Sequence, residues 1–185
     1  MIRFTTANAL FAEFPTLAKA VKVAATDHDP RAFVRAVAAD GKLREAVAIC
    51  AYLMPKREAV LWTCHSLRSR PQLIPAGDQA LLAAEAWARE PNEEARDIAA
   101  QWGKAADQQE PTTWAAYAAG FTSGNLAVMP EGPIRTPPHL TAESARVALL
   151  LAECKLEGEA AKEFLRGCLA TALRHLDKAG ASERS

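Results

Sequence analysis

The sequence predicts an all-α protein: a single-domain antiparallel helical bundle or irregular helical array of about 8–10 helices with one long proline-rich loop. Three observations predict it. Apolar residues recur at three- and four-residue intervals along most of the chain, proline or glycine falls between these runs, and helix formers dominate, alanine above all. A chain of 185 residues can bury one continuous core, and two independent halves would each be marginal. The expected organisation is therefore one domain over residues 1–179, followed by a flexible tail over 180–185.

Two weaker helices are expected near Ala7 to Phe14 and Leu17 to Ala25, with Pro15 between them. Asp29 followed by Pro30 starts a stronger one, because the carboxylate can accept from the first-turn N–H groups and proline lacks only a donor that the first turn leaves unused. That helix should end near Asp40, where Gly41 can adopt a left-handed cap. A helix over Leu43 to Leu53 follows, and Pro55 opens another that runs through Ser69 and is ended by Pro71. Asp78 caps a helix to Arg89, and Asn92, with Glu93 and Glu94 in the positive first turn, caps one to about Asp107. Pro111 opens a helix to about Phe121. Thr141 is expected to cap a helix to Glu157, and the last runs from Glu159 to Lys178 with Phe164, Leu165, Cys168, Leu169, Ala172, Leu173 and Leu176 in one stripe. No internal repeat holds a fixed period.

The segment Gly124 to Leu140 stands apart, with Pro130, Pro133, Pro137 and Pro138 and apolar residues scattered between them. Loops this long inside compact domains are uncommon and often functional. It reads either as a connector packed over the core or as a contact surface for a partner. Leu126, Val128, Met129 and Ile134 would supply the apolar contacts, and Arg135 and His139 the polar specificity.

Charge and composition narrow the functional classes. Lys plus Arg and Asp plus Glu balance at 22 each, so no global field draws in a nucleic acid or an anionic membrane. No apolar run approaches the roughly 20 residues of a spanning helix, and Met1 to Phe14 does not read as a secretory signal. Cys50, Cys64, Cys154 and Cys168 fall within expected helices at spacings that suit neither zinc nor redox motifs, and all four read as buried hydrophobes of a cytoplasmic protein.

Catalytic patterns are missing. Cys64, His65 and Ser66 place a thiol, an imidazole and a hydroxyl side by side, but neighbouring helical residues point about 100° apart and cannot act as a nucleophile and base together. His28, His65, His139 and His175 form no ligand spacing, so neither a metal nor another cofactor is expected. Glu58 beside Lys56 and Arg57 reads as surface charge pairing. The helix after Pro55 is apolar nearly all round between Ala59 and Cys64, which suits a central position packed on several sides. Trp102 and Trp114 flank the turn at Glu110 and Pro111 and are expected to close a helical hairpin.

Several phrases of the chain resemble an uncharacterised bacterial family of small alanine-rich helical proteins, a domain of unknown function. They are Leu10-Phe11 with Phe14-Pro15, Asp29-Pro30-Arg31-Ala32-Phe33, Leu53-Met54-Pro55-Lys56-Arg57-Glu58-Ala59-Val60 with Trp62 and Cys64, Ser123-Gly124-Asn125-Leu126, and Pro137-Pro138-His139-Leu140-Thr141. The Pro55 phrase is the distinctive one. The resemblance implies an association with type VI secretion gene neighbourhoods in Gram-negative bacteria and carries over no catalytic residue. The expectation is a non-enzymatic accessory factor, an adaptor or chaperone, that binds another protein in the cytoplasm. The alternatives are a small-molecule binder or cryptic enzyme with a site between helices, and an immunity protein that occludes a toxin, which the mixed charge disfavours.

Overall fold

The structure, a computed structural model, describes residues 4–129 and 132–181, and of residues 127–129 and 179–181 the backbone alone. Among the described residues it holds ten α-helices and one two-stranded antiparallel sheet, so the chain is predominantly all-α. The helices gather into two compact units, Met1–Pro55 with Leu156–Ser185, and Lys56–Lys155.

The first unit contains α1 (Ala7–Glu13), α2 (Pro15–Ala20), α3 (Pro30–Ala39), α4 (Leu43–Leu53) and α10 (Gly158–Ala181). Every residue of α4 from Ala46 to Leu53 is buried, and it packs against α2, α3 and α10, which is why an apolar surface on all sides is stable there. The α10 stripe is buried at Phe164, Leu165, Cys168, Leu169, Ala172 and Leu176, while Leu173 is half-buried at its margin. Phe14 meets Phe4 and Tyr52 edge-on at 5.9 and 5.3 Å, so rings from the N-terminal helices reach α4. Pro15 occupies the first turn of α2, which sets that helix earlier than the Leu17 to Ala25 expected, and it ends before Val21 turns extended.

Helix α3 carries both predicted caps. The Asp29 carboxylate accepts from the N–H groups of Arg31 at 2.9 Å and Ala32 at 3.2 Å, and Pro30 stands at the first position. At the other end Gly41 adopts φ +78°, its N–H donates to Ala38 at 3.0 Å, and the Lys42 N–H donates to Val37 at 3.2 Å. This paired return of N–H groups satisfies the last carbonyls. The Arg31 guanidinium, bonded to the same carboxylate, holds the Asp29 pKa down at about 2. A carboxyl depressed on folding stabilises the protein above its unfolded pKa of about 4, and that contribution fades as pH falls towards 2. Urea denaturation of the wild type is expected to show this loss between pH 5 and pH 2. Asp29→Ala should cost about 1 kcal/mol at pH 5 and little at pH 2, and an Asp29 carboxyl that titrates near pH 4 by NMR would contradict the assignment.

The second unit contains α5 (Lys56–Arg68), α6 (Gln79–Arg89), α7 (Glu93–Ala105), α8 (Pro111–Gly120), β1 (Asn125–Met129), β2 (Gly132–Arg135) and α9 (Leu140–Cys154). Apart from Pro111, Trp114 and Tyr117, helix α8 is alanine, threonine and glycine, and those small buried side chains let α5, α6, α7 and α9 all pack against it. Helix α5 lies against α6, α8 and α9, with Val60, Trp62, Cys64 and Leu67 buried. The charges at its ends tie neighbouring segments together. Lys56 Nζ donates to the Thr122 carbonyl at 2.7 Å and Arg57 Nε to the Ala88 carbonyl at 2.9 Å, so both satisfy oxygens just where α8 and α6 finish. Arg68 grips Glu85 with two hydrogen bonds of 2.7 and 2.9 Å and also donates to the carbonyls of Pro75 and Ala76.

Several expectations are corrected here. Gly124 to Leu140 is not a structureless loop, because Asn125–Met129 pairs antiparallel with Gly132–Arg135. Thr141 does not cap α9: a turn in which Leu140 N–H donates to Pro137 feeds the helix from His139, and Thr141 is carried inside it, 1% exposed. That helix ends at Cys154 rather than Glu157, and Cys154 is exposed, unlike Cys50, Cys64 and Cys168. Gly180 and Ala181, expected in the tail, continue α10, and residues 182–185 lie outside the described residues. No helix among the described residues is long and apolar enough to cross a membrane.

Candidate functional site

Helices α7 and α8 form an antiparallel hairpin whose two glycines set its closeness. A Cβ on Gly120 would lie 2.8 Å from Ala100 Cα, and one on Gly103 would lie 2.7 Å from the Tyr117 ring. The turn between the helices is closed by side chains: Trp114 Nε1 donates to the Gln108 carbonyl at 2.9 Å, and Gln108 Nε2 donates to the Gly103 carbonyl at 3.0 Å. Trp114 thus closes the hairpin as expected, whereas Trp102 stands 38% exposed on α7.

Trp114, Tyr117 and Phe121 follow at spacings of three and four, which puts them on one face along α8. Their rings form a ladder, with Trp114 tilted 5.7 Å from Tyr117, and Tyr117 and Phe121 stacked 5.0 Å apart. All three are half-buried, so ring surface stays open beside α7.

Arg96 fastens the β-hairpin to this helical pair. Its guanidinium donates to Ser123 Oγ at 3.0 Å, to Glu93 at 3.1 Å and to Asp97 at 2.7 Å, with its side chain 13% exposed. Hydrogen bonding to Asp97, with Glu93 adding to it against the cost of burial, raises the Arg96 pKa and keeps the group charged. The same guanidinium lies over Gly124, where φ is +84° and a Cβ would come within 3.1 Å of it. The hairpin base is closed by the Thr136 N–H, which donates to the Gly124 carbonyl at 3.1 Å. Pairing is irregular between Asn125 and Ala127, so Leu126 sits in a bulge.

Between α7, α8 and the hairpin base lies a groove of about 600 Å³. Its floor is the aromatic ladder, its α7 side carries Arg96, Asp97, Gln101 and Lys104, and Asn125 and Leu126 of β1 stand on its rim. Asp97 is already engaged by Arg96, while Lys104 makes no ion pair among the described residues. Lys104 is thus a positive charge of the groove with no ion-pair partner among the described residues.

The residues expected to contact a partner are only partly brought together. Leu126 lines the groove and is 44% exposed; Ile134 is 48% exposed on β2, outside the lining. Arg135 pairs with Asn125 through the backbone and is exposed, and His139 is half-buried at the start of α9. Val128 and Met129 pair with Pro133 and Gly132, and their side chains lie outside the described residues. Sequence reasoning missed Arg96, Lys104 and Phe121 as groove residues. The spacing of Trp114, Tyr117 and Phe121 was the available signal; nothing local marks Arg96.

The other chemistry-bearing residues stay apart. Cys64 is buried, with burial pushing its thiol well above the usual range, while His65 faces outward from the same helix. Burial does the same to the Cys50 thiol. Among the described residues no three His, Cys, Asp or Glu side chains are grouped to hold a metal ion.

Fold and site together define an all-helical protein whose second unit bears a hairpin-rimmed aromatic groove. The chain belongs to DUF6931, a family of unknown function, whose model matches residues 33–176. The match takes in both the Pro55 phrase and the hairpin and begins inside α3. Neither a curated protein nor a solved structure matches the chain.

Proposed function

We propose that this chain is a non-enzymatic, protein-binding accessory factor, an adaptor or chaperone, that engages its partner through the hairpin and groove of the second unit. One observation carries the reading. The large apolar side chains left exposed among the described residues, Leu82, Ile98, Trp102, Leu126 and Ile134, all belong to that unit. Single exposed apolar residues are ordinary, but their concentration in one unit, two of them on a hairpin, is the pattern of a recognition surface. The resemblance to proteins of type VI secretion neighbourhoods makes a secretion-system effector or component, met in the cytoplasm, the first partner to try.

The test is affinity purification from the native host with the wild type and with a Leu126→Asp, Ile134→Asp double variant. Both positions are solvent-exposed, so thermal stability should change by less than about 0.5 kcal/mol. Wild type should recover a stoichiometric protein, and the double variant should weaken its capture at least tenfold, about 1.4 kcal/mol. A wild type that recovers nothing and stays monomeric, or a variant that captures as well as wild type, would refute the reading.

A second reading, a small-molecule binder, is supported by the groove itself, whose volume falls in the ordinary range of ligand sites. Saturable shifts of the Trp114 indole signal with free aromatic acids and no protein partner would favour it.

A further inference from the structure

We infer that the groove receives an extended segment of the partner in which an aromatic side chain is next to an acidic one; the inference rests on the protein-binding reading above and names the chemistry of what is bound. The aromatic part follows from the ladder. Tyr117 and Phe121 are stacked nearly parallel, and the half-buried rings leave surface on which a further ring can be placed.

The acidic part follows from charge complementarity. Arg96 is held between Asp97 on the lining and Glu93 beside it, and Lys104, further along α7, is the cation of the lining that has no ion pair among the described residues. A carboxylate beside Lys104 would be the complementary group, in a groove whose apolar floor weakens screening by water. The Gln101 amide on the same lining can donate to it or to the segment's backbone.

The extended conformation follows from the rim. Among the described residues strand β1 pairs with β2 alone, so its other edge keeps backbone donors and acceptors that a third strand can use, and β1 is the strand that supplies Asn125 and Leu126 to the groove. A segment added there places alternate side chains toward the aromatic floor.

The test uses the full chain and three fluorescent octapeptides: one with phenylalanine flanked by aspartates, one with lysines for the aspartates, and one with alanine for phenylalanine. Anisotropy should show the first binding saturably and at least tenfold more tightly than the other two, with a shift of the Trp114 indole signal. Lys104→Glu, at an exposed position, should weaken the acidic peptide at least tenfold and strengthen the lysine peptide. Three peptides that bind alike, none that saturates, or a Lys104→Glu variant with unchanged preference would overturn the inference. Free phenylpropionate that binds as tightly as the acidic peptide would overturn it in favour of a small aromatic acid. A host partner captured through Leu126 and Ile134 but indifferent to Lys104→Glu would leave the protein-binding reading standing and remove this one.

Discussion

Trp62→Ala should lower the unfolding free energy of the second unit by about 3–5 kcal/mol, the loss expected when a fully buried large aromatic side chain is truncated. Trp62 is 1% exposed on α5, a helix packed against α6, α8 and α9, so the deleted volume is enclosed by elements that cannot all collapse into it. A protein with an overall stability of about 5–15 kcal/mol would lose about a fifth of it or more. No surface contact competes in size: the Arg35–Asp177 ion pair is half exposed on both sides and belongs to a class worth about 0–1 kcal/mol. Urea denaturation followed by circular dichroism measures the effect, with Trp62→Phe as the control expected to keep most of the stability. A loss below about 1 kcal/mol for Trp62→Ala would mean that α5 is not the packing centre its burial indicates.

Much of this architecture is legible in the sequence because its signals are local. Asp29 with Pro30 and Gly41 bracket α3 through hydrogen bonds between residues two to five positions apart, and the structure forms those bonds. The α10 stripe is likewise a matter of helical period. Failures occur where a residue's chemistry is overruled by its placement. Thr141 has the right hydroxyl for a cap, but the turn from Pro137 draws the helix start back to Leu140 and buries Thr141. Cys154 is chemically a core residue, yet it falls in the last turn of α9 and faces outward. The hairpin is hidden because Gly132 and Pro133 open a strand that a central position would forbid, and only a short, two-edged sheet tolerates proline there. The groove shares this limit. The aromatic spacing on α8 can be read in one dimension, but Arg96 becomes a site residue only when Ser123 and Gly124 arrive beside it, 27 and 28 positions later.

The closeness of α7 and α8 decides whether the groove keeps its shape, and Gly120 controls it. Alanine usually gains up to about 1 kcal/mol over glycine within a helix, so Gly120→Ala has a stabilising contribution to overcome. That gain is reduced because Gly120 is the last residue of α8. Its Cβ would lie 2.8 Å from both the Cα and the Cβ of Ala100, and neither atom can rotate out of the way. Helix α7 must retreat instead, at an overpacking cost of about 1–3 kcal/mol, and Gly120→Val should cost more. The outcome expected is net destabilisation for Gly120→Ala, against Gly167→Ala on α10, where nothing lies within 4 Å and the exposed helix should gain about 0.5–1 kcal/mol. Gly103→Ala separates shape from stability: its Cβ meets the Tyr117 ring, which can turn at some cost, so the aromatic ladder shifts while the helices stay together. Urea titrations of the three variants, with the acidic peptide as a probe of the groove, read both effects. A Gly120→Ala protein as stable as Gly167→Ala would show that α7 and α8 are not held in backbone contact, and the groove would then lose the rigid floor on which its recognition depends.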